Sequence, residues 1–381
     1  MRPHAAIVGA GSLPPQRRTE GASTLGMLAR AAKAALDDAG IEKDEIDGLL
    51  VGPQVGETPQ HVPATVSEYL GLQPVMSNVV DLGGASGPGM VWRAAAAIQA
   101  GMCETVLCVI GNHRNPEVPR SPNRNPIREF DVPFGASGAN VSYALLKQAH
   151  MARFGTTDED FALIAHWARA NAQRHPDAIF HGQPASLDDV LASPMIASPL
   201  RLFEIVMPVA GAEAVIVTSA ERAKGRSAAW LLGAGEKITH RAVSQAPNLT
   251  SGPLKPSMAR AFAQAGVDAA RMSLLSLYDC YTIMVATTLE DAGLCAPGGF
   301  GTFMRDHDFS SEGDMPMNTH GGQLGYGQPD LAGGMTHVTE AVRQLRGTAT
   351  GRQIADPEFA LVTGNGATMS EAVALVLGAE A

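Results

Sequence analysis

The sequence predicts an α/β protein built from two copies of one strand–helix plan. Apolar, strand-like runs alternate with alanine-rich or amphipathic helical stretches, the pattern that gives parallel or mixed sheets covered by helices. The plan occurs twice, and the stretch 112–200 has no partner in the second copy, so it reads as an insertion. The chain has 381 residues, of which 45% are hydrophobic and 17% charged. That is enough for two domains, or for one large duplicated one, around a sizeable core.

Each copy opens on a strand closing in glycine, HAAIVGAG (4–11) and AAWLLGAGE (228–236). A helix follows, ends on a glycine C-cap at Gly40 or Gly266, and leads through a polar turn to an apolar strand. Those segments are DDAGIEKDEIDGLLVG (37–52) and AQAGVDAARMSLLSLYD (263–279). Next come MSNVVDLGGASGPGMVWRAAAAIQAG (76–101) and MPMNTHGGQLGYGQPDLAGGMTHVTEAVRQLRG (315–347), each a strand, a glycine turn and a helix. Both copies then carry a buried strand closing on Gly-Asn, VLCVIGN (106–112) and FALVTGN (359–365). The expected halves are 1–225, including the insertion, and 226–381. The insertion begins with five prolines (Pro116, Pro119, Pro122, Pro126, Pro133) and four arginines (Arg114, Arg120, Arg124, Arg128). Such a long loop is more often functional or disordered than a plain connection. Its second part, 141–175, reads as helical, with Thr157 as N-cap of a second helix.

Composition excludes several classes. Net charge is −10, from 28 basic and 38 acidic residues, so no basic face invites nucleic acid. The four cysteines, Cys103, Cys108, Cys280 and Cys295, form no CxxC pair and no metal-ligand spacing. Neither a disulfide scaffold nor a metal site is expected, and sparse unpaired cysteine fits a reducing cytoplasm. The N-terminal apolar run is too short for a signal peptide, and no run of about 18 apolar residues offers a membrane span. VGAGSLP (8–14) lacks the third glycine and the downstream acid of a dinucleotide fingerprint, so a nicotinamide cofactor is not expected.

The duplicated halves, the insertion and the glycine turn feeding a buried helix together resemble the thiolase superfamily, over nearly the whole chain. The similarity is greatest to the sterol-carrier-protein type of thiolase and its non-thiolytic relatives. YDCY (278–281), NTHGGQLGYGQP (318–329) and TGNGATMSEAVALVLG (363–378) carry it by their order and spacing. The resemblance implies two βαβαβαββ halves in a layered α-β-α-β-α arrangement, a homodimer, and an acyl-CoA thioester as substrate rather than a covalently bound cofactor. It also implies a nucleophilic cysteine at a helix N-terminus, where the dipole favours a thiolate and an oxyanion.

Carried onto this chain, that nucleophile position is Gly84, within the turn Gly84-Ala85-Ser86-Gly87, and no cysteine precedes residue 103. The family's catalytic histidines fall on Tyr278 and Gln328, and its C-terminal cysteine on Val362 or Thr363. Thiolysis through an acyl-enzyme is not expected. Ser86 reads as a turn hydroxyl rather than a substitute nucleophile, for want of a base. Gly84 is expected to open room for a bulky acyl group, with helix N–H groups left to bind an oxyanion.

A site of this kind can still stabilise a thioester enolate, which suits retro-aldol cleavage of a β-hydroxyacyl-CoA. The resemblance extends to the thiolase-like lipid-transfer-protein aldolases of steroid side-chain degradation, which use tyrosines and bind a partner carrying an OB-fold and a zinc ribbon. Tyr278 and Tyr326 are the candidate acid–base pair, the alternative being buried tyrosines that only pack. His320 is either a proton donor or a loop histidine bonded to backbone. Gly84, Ala85, Ser86, Gly322 and Gly366 are the candidate substrate-binding positions. Cys280, in the same motif, is expected to face away from Tyr278 as a core thiol. The loop arginines suit CoA phosphates, a partner's acidic surface, or plain solvent. An acetyl-CoA acetyltransferase and a non-catalytic acyl-CoA-binding scaffold are the competing functions.

Overall fold

The computed structural model describes residues 4–55, 57, 59–118, 131–136 and 138–381. Arg120, Arg124 and Arg128, with Pro119, Pro122 and Pro126, lie outside them.

The chain opens with β1 (Ala5–Ser12), α1 (Thr24–Ala39), β2 (Gly48–Val51), α2 (Val62–Leu70), β3 (Met76–Val79), α3 (Ser86–Gln99) and β4 (Thr105–Asn112). The insertion supplies α4 (Ala139–Phe154), α5 (Asp158–Ala172), α6 (Leu187–Ala192) and a small hairpin, β5 (Met195–Ala197) with β6 (Leu200–Arg201). Then follow β7 (Gly211–Ser219), α7 (Ala220–Ala223), β8 (Ala229–Ile238), α8 (Leu254–Ala265) and β9 (Leu274–Ser276). The chain ends with α9 (Thr282–Asp291), α10 (Phe300–Asp306), α11 (Gly322–Tyr326), α12 (Gly333–Leu345), β10 (Phe359–Gly366) and β11 (Glu371–Gly378).

Nine strands run β3-β2-β4-β7-β1-β8-β11-β10-β9. The first five and the last four repeat one another in mirror order, so β1 matches β8, β7 matches β11, β4 matches β10 and β2 matches β9. The partner of β3 is reduced to a single parallel bridge between Leu275 and Met317. Among the described residues, the strands of the two arrays pair through Ala6↔Trp230 and Ile7↔Ala229.

That narrow junction lets the arrays stack with helices α3 and α12 between them. One apolar cluster fills this middle layer, including Met90, Val91 and Ala94 of α3 and Met335, Val338 and Val342 of α12. A second cluster joins α1 and α2 to the outer face of the first array, and a third joins α4, α5, α8 and α9 to the outer face of the second. The result is the expected α-β-α-β-α layering.

The repeated Gly-Ala-Gly has a packing reason. A Cβ at Gly9 or Gly11 would strike backbone of α1, and one at Gly233 or Gly235 would strike backbone of α8. Glycine here lets each outer helix lie directly on its strand. The capping expectations hold as well. Gly40 and Gly266 adopt left-handed φ values of 60° and 72°, and the Thr157 hydroxyl accepts from the Asp160 N–H at 3.4 Å.

Candidate active site

Where the two halves meet the insertion, a cavity of about 940 Å³ opens. The glycine turn forms part of its wall through Gly83 and Gly84, and the chain after β9 brings Tyr278, Cys280 and Tyr281 to it. Helix α4 of the insertion contributes Tyr143, the strand ends of the second half contribute Asn365 and Glu371, and the loop before α12 contributes Gln328 and Asp330.

The turn leads into α3, whose first residues are fully buried against α12. Ser86 closes it: its hydroxyl accepts from the Leu82 N–H at 3.0 Å and donates to the Gly83 carbonyl at 2.6 Å. It is therefore a turn hydroxyl, though it caps the residues before the helix rather than the helix N–H groups. The N–H groups of Ala85 and Ser86 bond to the carbonyls of Leu82 and Gly83 at 3.0 and 3.1 Å. Two of the backbone donors expected to hold an oxyanion are thus already engaged.

Gly84 does not open the expected space. A Cβ on residue 84 would overlap the Tyr278 hydroxyl and Cζ, and would lie 2.6 Å from the Asn365 carbonyl oxygen. The tyrosine occupies the volume that a side chain on the turn would need. Gly84, Ala85, Ser86, Gly366 and Tyr278 are brought together; Tyr326 and His320 are not.

Tyr278 is 3% exposed, and its backbone N–H donates to the Thr363 hydroxyl at 2.9 Å. Its own hydroxyl accepts from Gln328 Nε2 at 3.3 Å. Burial first, then the charges of Cys280 and Asp279, hold this phenol well above its usual value, with the Gln328 N–H pulling the other way. Tyr278 is thus neutral and a proton donor at rest, not a base.

Tyr326 does not flank the cavity. It packs with Ala172 and Ala178, its ring 5.0 Å from His175 and 5.6 Å from His320. The short helix α11 turns it inward against α5, because Gly325 permits backbone contact with Ala168. His320 is equally enclosed, at 2% exposure with its ring 5.2 Å from that of His337. Burial pushes its pKa well below the ordinary histidine value, so it is uncharged at neutral pH. Gly322 lies against the Asp279 carboxylate, which accepts from the Gln323 N–H at 2.7 Å and holds the start of α11. Gly366 supports the turn from behind, and its neighbours Asn365 and Ala367 line the cavity instead.

Cys280 is buried in an apolar cluster, as expected of a core thiol, but it does not face away from Tyr278. Strand β9 ends at Ser276, so alternation stops before the YDCY segment, and Cys280 and Tyr281 reach the same cavity as Tyr278. Burial pushes the Cys280 thiol up to about 12, which removes it as a thiolate nucleophile. Tyr143 and Tyr281 stack at 4.0 Å. The Tyr143 hydroxyl donates to the Ala367 carbonyl at 2.7 Å and accepts from Asn365 Nδ2 at 2.8 Å. The Tyr281 hydroxyl donates to Asn140 at 2.7 Å. Tyr143 carried no signal in the sequence, since the insertion has no repeat counterpart. Asn365, at the end of a duplicated strand closing on Gly-Asn, was open to notice. Arg114, the described member of the loop arginines, pairs with Asp330 at 3.1 Å.

The thiolase C-terminal domain-like family matches residues 235–379. Over 99% of its length the chain is 31% identical to the steroid side-chain-cleaving aldolase of Thermomonospora curvata, covering 98% of that protein. The chain belongs to the thiolase superfamily. To the 17-hydroxy-3-oxo-4-pregnene-20-carboxyl-CoA lyase of Mycobacterium tuberculosis this thiolase-superfamily chain is 30% identical, over 98% of its own length and 99% of the lyase. The solved Ltp2-ChsH2(DUF35) aldolase superposes with a TM-score of 0.90 at 30% identity, covering 99% of this chain and 98% of that one. Among the described residues no helix is long and apolar enough to cross a membrane.

Proposed function

We propose that this protein is an acyl-CoA carbon–carbon lyase that opens a β-hydroxyacyl-CoA by retro-aldol cleavage. One observation carries the reading: a neutral tyrosine hydroxyl stands where a thiolase turn would carry its nucleophile. A group that cannot form an acyl-enzyme but can give a proton suits an enolate, and relatives of matching length are named as an aldolase and a CoA lyase. A base takes the β-hydroxyl proton, the oxygen electrons form the carbonyl, and the carbon–carbon bond electrons pass into the thioester enolate. Tyr278 protonates the enolate carbon and regains a proton from the base, so no net proton is consumed.

Glu371 is the base in this reading. Burial, then the charge of Asp81, raises the proton affinity of this half-buried cavity carboxylate. A Cβ on Gly366, beside the turn, would lie 2.8 Å from its Oε2. The function is a property of Tyr278, Gly84 and Glu371, without Tyr326 or His320. A homodimer, a partner with an OB-fold and zinc ribbon, and a cytoplasmic setting complete the proposal. The partner is supported by the composition of the Ltp2-ChsH2(DUF35) aldolase, and the setting by four free cysteines.

The test is incubation of the purified protein, with and without free CoA, on β-hydroxyacyl-CoA and β-ketoacyl-CoA. Release of a ketone or aldehyde from the hydroxyacyl thioester without added CoA is the expected result. Cleavage of the ketoacyl thioester that depends on free CoA would make it a thiolase, and binding with no product would make it a scaffold.

A further inference from the structure

Gln328 stands at the cavity wall where the resemblance puts a catalytic histidine, yet it cannot titrate. Its backbone is fixed on both sides. The Gln328 N–H donates to Met207 at 2.9 Å, and its carbonyl accepts from Val209 at 2.9 Å. From this clamp the side chain reaches Tyr278, with Nε2 donating to the phenolic oxygen at 3.3 Å. Among the described residues no group accepts the Tyr278 hydroxyl proton. A phenol has one proton and two acceptor positions. With an N–H at one acceptor position, the proton is directed away from Gln328 and is free for a ligand in the cavity.

The same N–H changes what proton transfer costs. Burial makes a phenolate at Tyr278 unfavourable. A donor aimed at the oxygen strengthens as that oxygen becomes anionic, because a hydrogen bond to a charged acceptor is about twice as strong as a neutral one. We infer that Gln328 is a positioning residue that orients Tyr278 as a proton donor and stabilises the phenolate it becomes. The inference rests on the reading of Tyr278 as the group that protonates the enolate. An amide does this at every pH, whereas a histidine at this depth would lose or gain its second proton with its surroundings.

The experiment compares Gln328→Leu, Gln328→Glu and Gln328→His, each alone and combined with Tyr278→Phe. Steady-state retro-aldol cleavage of the β-hydroxyacyl-CoA that the parent turns over is the readout, with melting temperature to confirm folding. Gln328→Leu should lower kcat about 10- to 100-fold with KM within about threefold, because the lost bond is strongest in the transition state. Gln328→Glu should fall at least as far, since a carboxylate would draw the Tyr278 proton to itself. Gln328→His, which keeps an N–H donor, should recover part of the loss. In the Tyr278→Phe background none of the three should lower kcat further. Parental kcat in Gln328→Leu, or parental activity in Gln328→Glu, would overturn the inference while leaving Tyr278 in place. So would a Gln328→Leu loss that persists undiminished beside Tyr278→Phe. Normal turnover by Tyr278→Phe itself would instead remove the reading on which the inference rests.

Discussion

Replacing Tyr278 by phenylalanine isolates the chemistry from the packing. The ring that fills the space above Gly84 remains, so the turn, α3 and the cavity wall keep their contacts. What disappears is one hydroxyl, whose hydrogen-bond partner among the described residues is Gln328 Nε2 at 3.3 Å. That bond is long and comes from a half-buried amide that cavity water can solvate again, so unfolding free energy should change by less than about 1 kcal/mol. The rate should change far more. A positioned acid contributes about 10²–10⁴-fold, equivalent to about 3–5 kcal/mol of transition-state stabilisation at about 1.4 kcal/mol per tenfold. Because the loss falls on the transition state, kcat should drop by that factor with KM within about threefold. Product ketone or aldehyde is followed by chromatography under saturating thioester, with calorimetry for thioester affinity and a thermal melt for folding. A folded variant that binds substrate and keeps kcat within threefold of the parent would refute the assignment, and Tyr278 would then be packing alone.

Gly84→Ala should expel the Tyr278 hydroxyl from its place, cost about 1–3 kcal/mol of stability by overpacking and lower turnover. Pairing it with Tyr278→Leu, which removes the clashing hydroxyl and Cζ while keeping most of the apolar volume, should recover part of the melting temperature but not the activity. Tyr326→Phe and His320→Gln should each leave kcat within about threefold of the parent, since neither side chain lines the cavity. Glu371→Gln should lower kcat by about 10²-fold or more, the loss of a general base, while thioester binding measured by calorimetry stays near the parental value. Acid should destabilise the fold through His175. Burial, then Arg352, lowers its pKa from 6.5 to about 4, so the unfolded chain binds a proton that the folded one refuses. This contribution is absent above pH 6.5 and grows to about 3 kcal/mol of lost stability as pH falls to 4, at about 1.4 kcal/mol per unit. Glu213, raised to about 7 by burial, works in the opposite sense over part of that range. The check is therefore differential: the unfolding free energy of His175→Gln minus that of the parent should shift in the variant's favour by up to about 3 kcal/mol between pH 6.5 and 4.

The repeat was legible because its signals are local. Glycine C-caps, strands of apolar residues and the Gly-Ala-Gly pairs each report on backbone within a few residues, and all recur at matching places in both halves. The turn at Gly84 was legible for the same reason. What lay beyond the sequence was the direction of side chains after a strand ends. Tyr278 and Cys280 are two residues apart, a spacing that shares a face in a strand, and both follow the end of β9, so opposite faces had no physical support. Tyr326 and His320 lie off the cavity lining for a different reason. They occupy a glycine-rich segment whose path is set by the buried Asp279 carboxylate and by α5, both remote in sequence. Tyr143 comes from an insertion that only tertiary packing brings to the cavity.

Gly84 and Tyr278 amount to one change rather than two. A side chain of any size on residue 84 collides with the Tyr278 hydroxyl, and the Asn365 carbonyl closes the remaining direction at 2.6 Å. Without the tyrosine, a bare glycine would leave a void beside the buried start of α3, and voids of that kind cost stability in proportion to their volume. Each residue therefore makes sense only beside the other. On the proposed reading, together they move the reactive group from the turn to the facing segment after β9, while keeping it over the N-terminus of α3. The chemistry shifts with the attachment. A thiolate at that helix end attacks, whereas a phenol whose ionisation is opposed by burial holds its proton until an enolate appears to take it. On that reading, the layered scaffold passes from acyl transfer to bond cleavage through coupled changes at Gly84 and Tyr278, with Gln328 in the histidine's place to keep the phenol aimed and Val362 or Thr363 in place of the C-terminal cysteine.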